Sequence, residues 1–187
     1  DQRRRDTAER IARCARLLAD ERGLDGFTMD DLAAEAGVSR RTLFNYYPGK
    51  DLAVLGHHDD DVADEVVATF CAGGPTGDLI DDLRVLVDAH LEGKDIDRAE
   101  VARMRRILHH NPRLVGVFKQ EFEAKGQLFC KLIEEREGEA YDDIRARVVF
   151  RTLVSLVDMC LDYYVDHPEH ELAELFDRAI HALRSAF

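Results

Sequence analysis

Cysteine is scarce and scattered in this chain of 187 residues. Cys14, Cys71, Cys130 and Cys160 lie too far apart for a metal finger or a Cys-x-x-Cys redox pair. Each has apolar neighbours, as in Leu128-Phe129-Cys130, so all four read as structural thiols in a reducing, cytoplasmic compartment. Long apolar runs are missing too. None reaches the ~18 residues of a membrane span, and no secretory signal opens the sequence. The chain also lacks a convincing strand pattern, an internal repeat and a low-complexity tract. There is no Gly-rich phosphate loop, no nucleophile elbow and no Glu-x-x-His pair of the di-iron kind. An enzyme would have no site here, and no cofactor is expected.

Metal ligands are no better organised. In His57-His58-Asp59-Asp60-Asp61, adjacent helical residues splay by about 100° and cannot converge on one ion. His57 with Asp61 is the one pair at i, i+4, and the stretch reads as a solvated polar face. His170-Glu171-Leu172-Ala173-Glu174 is one histidine short of the HExxH zinc motif, and Leu172 belongs to an apolar stripe. His109 and His110 precede Asn111-Pro112 and read as a helix terminus, where histidine suits the dipole. No metal site is expected.

A surplus of positive charge is absent overall, since the formal net charge is -12. The deficit is uneven. Residues 1–50 carry ten Arg or Lys against nine Asp or Glu, a net +1, whereas residues 51–187 carry a net -13. The acidic part would be repelled by DNA. The near-neutral head would need two copies for tight binding, so dimerisation is expected.

What is present is 45% hydrophobic and 34% charged residues, an ordinary globular composition, and clear helical punctuation. Thr28 stands three residues before Asp31 and starts a short helix with Leu32, Ala33 and Ala36 inward. Gly37 can take the left-handed conformation that stops it. Ser39 caps a second short helix with Leu43 and Tyr46 or Tyr47 inward, Pro48 ends it, and Gly49 caps a third beginning at Lys50. Two short helices around a glycine turn make a helix-turn-helix. Arg40, Arg41 and Lys50 sit at helix N-termini, where cations oppose the macrodipole unless a phosphate lies across the same ends.

These residues carry a resemblance. Residues 28–52, with AAEAGVSRRTLFNYYPGKDL matching along its whole length, are similar to the DNA-binding signature of TetR-type bacterial transcription regulators. Phe44 stands where that family often has tyrosine, Arg41 where glycine is frequent, and Gly49 where serine commonly caps. The resemblance implies an all-α chain of about nine helices. A helix-turn-helix DNA-binding domain would span 1–52 and an effector-binding and dimerisation domain 53–187. The function implied is a homodimeric repressor released from a palindromic operator by an unknown small-molecule effector. The helix capped by Ser39 would enter the major groove of double-stranded DNA. Arg40 and Arg41 would address base edges, and Thr42 and Asn45 bases or phosphates. Tyr46, Lys50 and Thr28 would hold the backbone. The rival reading is a helical ligand-binding or adaptor protein that does not act through DNA.

Elsewhere the pattern predicts a basic, frayed arm at 1–5, then a helix from Asp6 to Arg22 stopped by Gly23, with Phe27 anchoring the next segment against it. A single connecting helix is expected from Lys50 to about Cys71. Further helices come at 79–92, about 97–109 and from Asn111-Pro112 to about Arg136. Residues 141–166 are apolar nearly all round, which calls for burial on two sides. The last helix repeats Leu172, Leu175, Phe176, Ala179, Ile180 and Leu183 at a period of 3.6. Residues 141–187 would therefore pair with their copy in a four-helix interface. Met104, Phe118, Phe122 and Met159 are expected as walls of an effector pocket.

Overall fold

The computed structural model describes residues 2–56, 62–91, 97–138 and 141–186. These carry ten α-helices and no strand, one helix more than expected. They are α1 Gln2–Arg22, α2 Met29–Glu35, α3 Arg40–Tyr46, α4 Lys50–Leu55, α5 Asp64–Cys71, α6 Leu79–Leu91, α7 Arg98–His110, α8 Pro112–Glu137, α9 Asp143–Asp166 and α10 Leu172–Ala186.

The extra helix comes from Gly56. Its φ of 70° is left-handed, and its N–H donates to the carbonyls of Leu52 and Ala53, closing α4 after one and a half turns. The single helix expected from Lys50 to Cys71 is therefore two helices. The polar run at 57–61, with apolar residues resuming from Val62, reads as one continuing helix and conceals the stop at the glycine. The His57–Asp61 stretch falls outside the described residues. The predicted frayed arm is also corrected. Helix begins at Gln2 rather than at Asp6; residues 3–6 are helical but exposed, and the packed face starts with the fully buried Ala8 and Ile11.

The chain divides into two compact units. The first comprises residues 1–62, 90–95 and 102–122. Its core gathers Ile11, Ala15 and Leu18 of α1 with Phe27, Leu32, Leu43, Tyr47 and Val54. Ile107 of α7 and Leu114 of α8 are buried in the same cluster. Ion pairs surround that contact. Arg106 donates to both carboxylate oxygens of Asp20, at 3.3 and 2.7 Å, with Arg103 at 3.5 Å. Arg113 reaches Asp51 at 2.6 Å.

The second unit comprises residues 63–89, 96–101 and 123–187. Its most buried polar group is Asp82, 1% exposed. Arg136 donates from Nη2 to Asp82 Oδ2 at 2.6 Å and from Nη1 to the carbonyls of Phe70 and Gly74, with its guanidinium over the Phe70 ring. Asp82 also accepts from the Thr76 hydroxyl and amide and the Gly77 amide. One ion pair thus fastens the end of α5, the 72–78 turn, α6 and the end of α8. Burial pushes the Asp82 carboxyl up. The Thr76 hydroxyl and amide, Arg136 and the Gly77 amide outweigh it and hold the group below the usual carboxylate range.

In the same unit α9 packs on α10. Leu175, Phe176, Ala179 and Ile180 of α10 meet Cys160, Leu156, Val157 and Tyr164 of α9. The α10 stripe is thus used within the chain. An adjoining side of α9 leaves Ile144, Val148, Met159 and Tyr163 exposed, at 70, 59, 50 and 40%. At 100° per residue these four fall within an arc of about 100°. All four cysteines are free thiols, Cys130 and Cys160 buried and the others half-buried. Burial is the chief cause pushing each thiol's pKa up, away from the reactive thiolate.

Candidate nucleic-acid interface

Helix α2 opens on a full capping box. The Thr28 hydroxyl oxygen accepts from the Asp31 amide at 3.2 Å, and the Asp31 carboxylate accepts from the Thr28 amide at 2.8 Å. Thr28 Oγ1 also donates to that carboxylate at 2.7 Å, so its hydrogen is already committed. The Thr28 hydroxyl, then its amide, hold the Asp31 carboxyl below its usual range.

The turn after α2 is a Schellman arrangement. Gly37 has φ 63°, with Gly37 N–H to Ala34 O and Val38 N–H to Ala33 O. Arg10 of α1 donates to the Ala36 carbonyl at 2.6 Å and braces it. Ser39 then caps α3, its Oγ accepting from the Thr42 amide at 3.0 Å and sharing a hydrogen bond with Thr42 Oγ1 at 2.7 Å. Leu43 and Tyr47 are buried, and Tyr47 Oη donates to the Ala8 carbonyl at 3.2 Å. Of the two tyrosines left open by the pattern, Tyr47 points inward and Tyr46 is half-buried.

That packing leaves Ser39, Arg40, Arg41, Phe44 and Asn45 exposed on α3 and its cap. Arg40 Nη1 donates to Asp30 Oδ2 at 2.8 Å, and its guanidinium carbon lies 5.6 Å from the centroid of the Phe44 ring. Arg41 has no hydrogen-bond or ion-pair partner among the described residues. Lys50 is held more closely than expected. Its Nζ donates to the Phe27 carbonyl at 3.1 Å, sits 3.8 Å from the Asp25 carboxylate and lies over the Phe27 ring. The lysine that opens α4 therefore also fastens the α1–α2 corner, a contact 23 positions away that spacing does not reveal.

The residues expected around an effector fare differently. Phe118 and Phe122 stack on α8 with centroids 5.9 Å apart, and Phe118 is 39% exposed. Met104 is half-buried on α7, and Met159 lies on the exposed side of α9. A cavity of about 260 Å³ in the second unit is lined by none of the four; Gly126, Gln127, Cys130, Arg147 and Phe150 are among its walls. An added Cβ at Gly126 would stand 2.6 Å from the Phe150 ring, so the glycine keeps that notch open. Among the described residues no group of three metal-ligating side chains is placed to hold an ion, and no helix is long and apolar enough to cross a membrane.

An all-helical chain whose head is a braced helix-turn-helix with an exposed, arginine-bearing second helix is a DNA-binding transcriptional regulator. Two families match it. The model described as bacterial regulatory proteins, tetR family, covers residues 11–52, and that described as the MftR C-terminal domain covers residues 78–187. The chain belongs to the tetR family of bacterial regulatory proteins, with a second part of the MftR C-terminal type. It is 24% identical over 180 residues to a protein of Mycobacterium tuberculosis named "Putative mycofactocin biosynthesis transcriptional regulator MftR", covering 95% of this chain and 89% of that one. Two solved structures share the fold. One is a "putative TetR-family transcriptional regulator" from Mesorhizobium loti, at a TM-score of 0.57, 17% identity, and 96% and 94% coverage of the two chains. The other is FadR of Thermus thermophilus, a TetR-family repressor in complex with lauroyl-CoA, at 0.51, 27% identity, and 94% and 92% coverage.

Proposed function

We propose that this chain is a homodimeric repressor that leaves a palindromic operator when a small molecule binds its body. The head would be residues 1–52 and the body 53–187. The observation that carries the reading is the α3 surface. Leu43 and Tyr47 are spent on packing, and two arginines, an asparagine and an aromatic ring are left facing out together. In this reading α3 enters the major groove, with Arg40 and Arg41 addressing base edges and Thr42 and Asn45 reaching bases or phosphates. Ser39, Tyr46, Lys50 and the Thr28 cap lie along the phosphates. With its hydroxyl hydrogen given to Asp31, Thr28 would reach a phosphate through a water that donates to both, or by turning its O–H from Asp31 to donate directly.

Dimerisation would use the α9 side bearing Ile144, Val148, Met159 and Tyr163, with α10 backing it from within the chain. Ligand release needs differential affinity, meaning a molecule that binds better when the heads are misaligned. Met104, Phe118 and Phe122 are the walls proposed for it; Met159, the fourth expected from the sequence, falls to the dimer interface instead. The lauroyl-CoA held by FadR makes long-chain acyl thioesters the first class to try here. The protein would act in the cytoplasm, where its operator is.

A gel shift with random genomic fragments across a salt series tests the reading. A regulator enriches a palindrome and loses affinity steeply with salt. Enrichment of nothing would leave a helical ligand-binding protein in its place.

A further inference from the structure

Arg40 is an exposed side chain that the protein nonetheless holds from two sides. Asp30, in the first turn of α2, accepts from Nη1 at 2.8 Å, and Phe44, one turn further along α3, lies under the guanidinium with its ring 41% exposed. An arginine has five N–H donors in a planar fork, and Asp30 engages one of its terminal nitrogens. The other edge of the fork remains for a ligand. A free arginine loses much rotamer freedom when it docks, so one already held loses less.

The carboxylate has a second effect. An anion beside the guanidinium weakens its pull on a further anion but leaves its free N–H groups able to meet a neutral acceptor pair. Phosphate is therefore disfavoured as the partner of Arg40, and the N7 and O6 edge of a guanine is favoured. Arg41, the next residue, has no carboxylate partner among the described residues and is not held in this way.

We infer that Asp30 and Phe44 are positioning residues for base reading, holding Arg40 to a guanine edge and away from the phosphate backbone. The inference rests on the DNA reading given above and names, of the two arginines that reading sends to base edges, the one that is held in place for it. Asp30 itself touches neither base nor phosphate in this role.

Selection of a random-sequence duplex library on the wild-type chain, followed by titrations of defined duplexes over a salt series, tests it. Arg40→Ala should flatten the preference for guanine at one position of each half-site, a loss of about fivefold or more. Asp30→Asn should lower the same preference severalfold while steepening the salt dependence, because the freed arginine can now take a phosphate. Phe44→Leu should lower the preference without changing the salt slope. A merely structural defect would weaken preference and slope together, and circular dichroism of each variant checks the fold. Unchanged preference in Asp30→Asn, with Arg40→Ala flattening it, overturns the inference and leaves the regulator standing. Unchanged preference in Arg40→Ala also overturns it, with Arg40 no base reader. No enriched sequence from the wild-type chain removes the underlying DNA reading as well.

Discussion

Replacing Asp82 with asparagine should destabilise the second unit severely. The carboxylate is 1% exposed and accepts from Arg136, the Thr76 hydroxyl and amide, and the Gly77 amide. Asparagine keeps the shape but leaves the Arg136 guanidinium, 3% exposed, with the more exposed Glu137 carboxylate at 2.9 Å as its one remaining counter-charge among the described residues. Breaking a buried pair from one side costs about 3–5 kcal/mol. For a chain of this size 1 kcal/mol moves the midpoint by roughly 2–4 °C, so thermal unfolding followed by circular dichroism should shift down by about 6–20 °C. A double change, Asp82→Leu with Arg136→Met, removes both charges and should recover part of the loss, because the Thr76 and Gly77 donors and the Phe70 and Gly74 carbonyls still lose these partners. The pH dependence has a definite sign. The folded carboxyl titrates lower than the unfolded one, so its stabilisation is complete above the unfolded value near pH 4. It is lost as pH falls through the folded value. In Asp82→Asn that acid dependence should shrink. A variant melting within a degree or two of wild type, with unaltered acid dependence, would refute the role given to this pair.

Three further outcomes are expected from other parts of the molecule. Lys50→Ala should weaken binding to all sequences alike and reduce the salt slope by about one. It should also cost about 1 kcal/mol of stability through the lost Phe27 carbonyl contact, measured by urea titration. Gly26→Ala should destabilise the head by about 1–3 kcal/mol in the same assay, because the new Cβ would stand 2.0 Å from the Arg22 carbonyl oxygen, which backbone cannot easily vacate. Val148→Asp, on the exposed side of α9, should convert a dimer to a monomer in sedimentation velocity while helix content is kept.

The head was legible because its signals are local. Thr28 with Asp31, Gly37, Ser39 and Gly49 each act within four residues, and each does in the structure what its position implies. Gly56 was missed because the polar run His57–Asp61 reads as the outer face of a continuing helix with Val62 and Val66 beyond it, and periodicity registers faces better than stops. The Asp82–Arg136 pair spans 54 positions and the Arg40–Asp30 contact ten, and neither distance can be read from a helical period. Residues 141–166 read as apolar nearly all round, and within the chain one side of α9 is buried against α10 while another stays exposed. Which side meets the chain's own α10 and which is left exposed depends on packing that the all-round pattern does not encode. Lys50 shows the same limit from the other direction, since its charge was readable and its tie to Phe27 was not.

Methylation interference on the selected duplex tests the central claim most directly. Methyl groups placed at guanine N7 occupy the major groove, and those at adenine N3 the minor groove. If α3 reads base edges through its exposed arginines, N7 methylation at matching guanines in two half-sites, centres about 34–36 Å apart, should block the wild-type chain. Arg40→Ala should be insensitive at those positions. Interference confined to adenine N3, or none in either groove, would contradict the account.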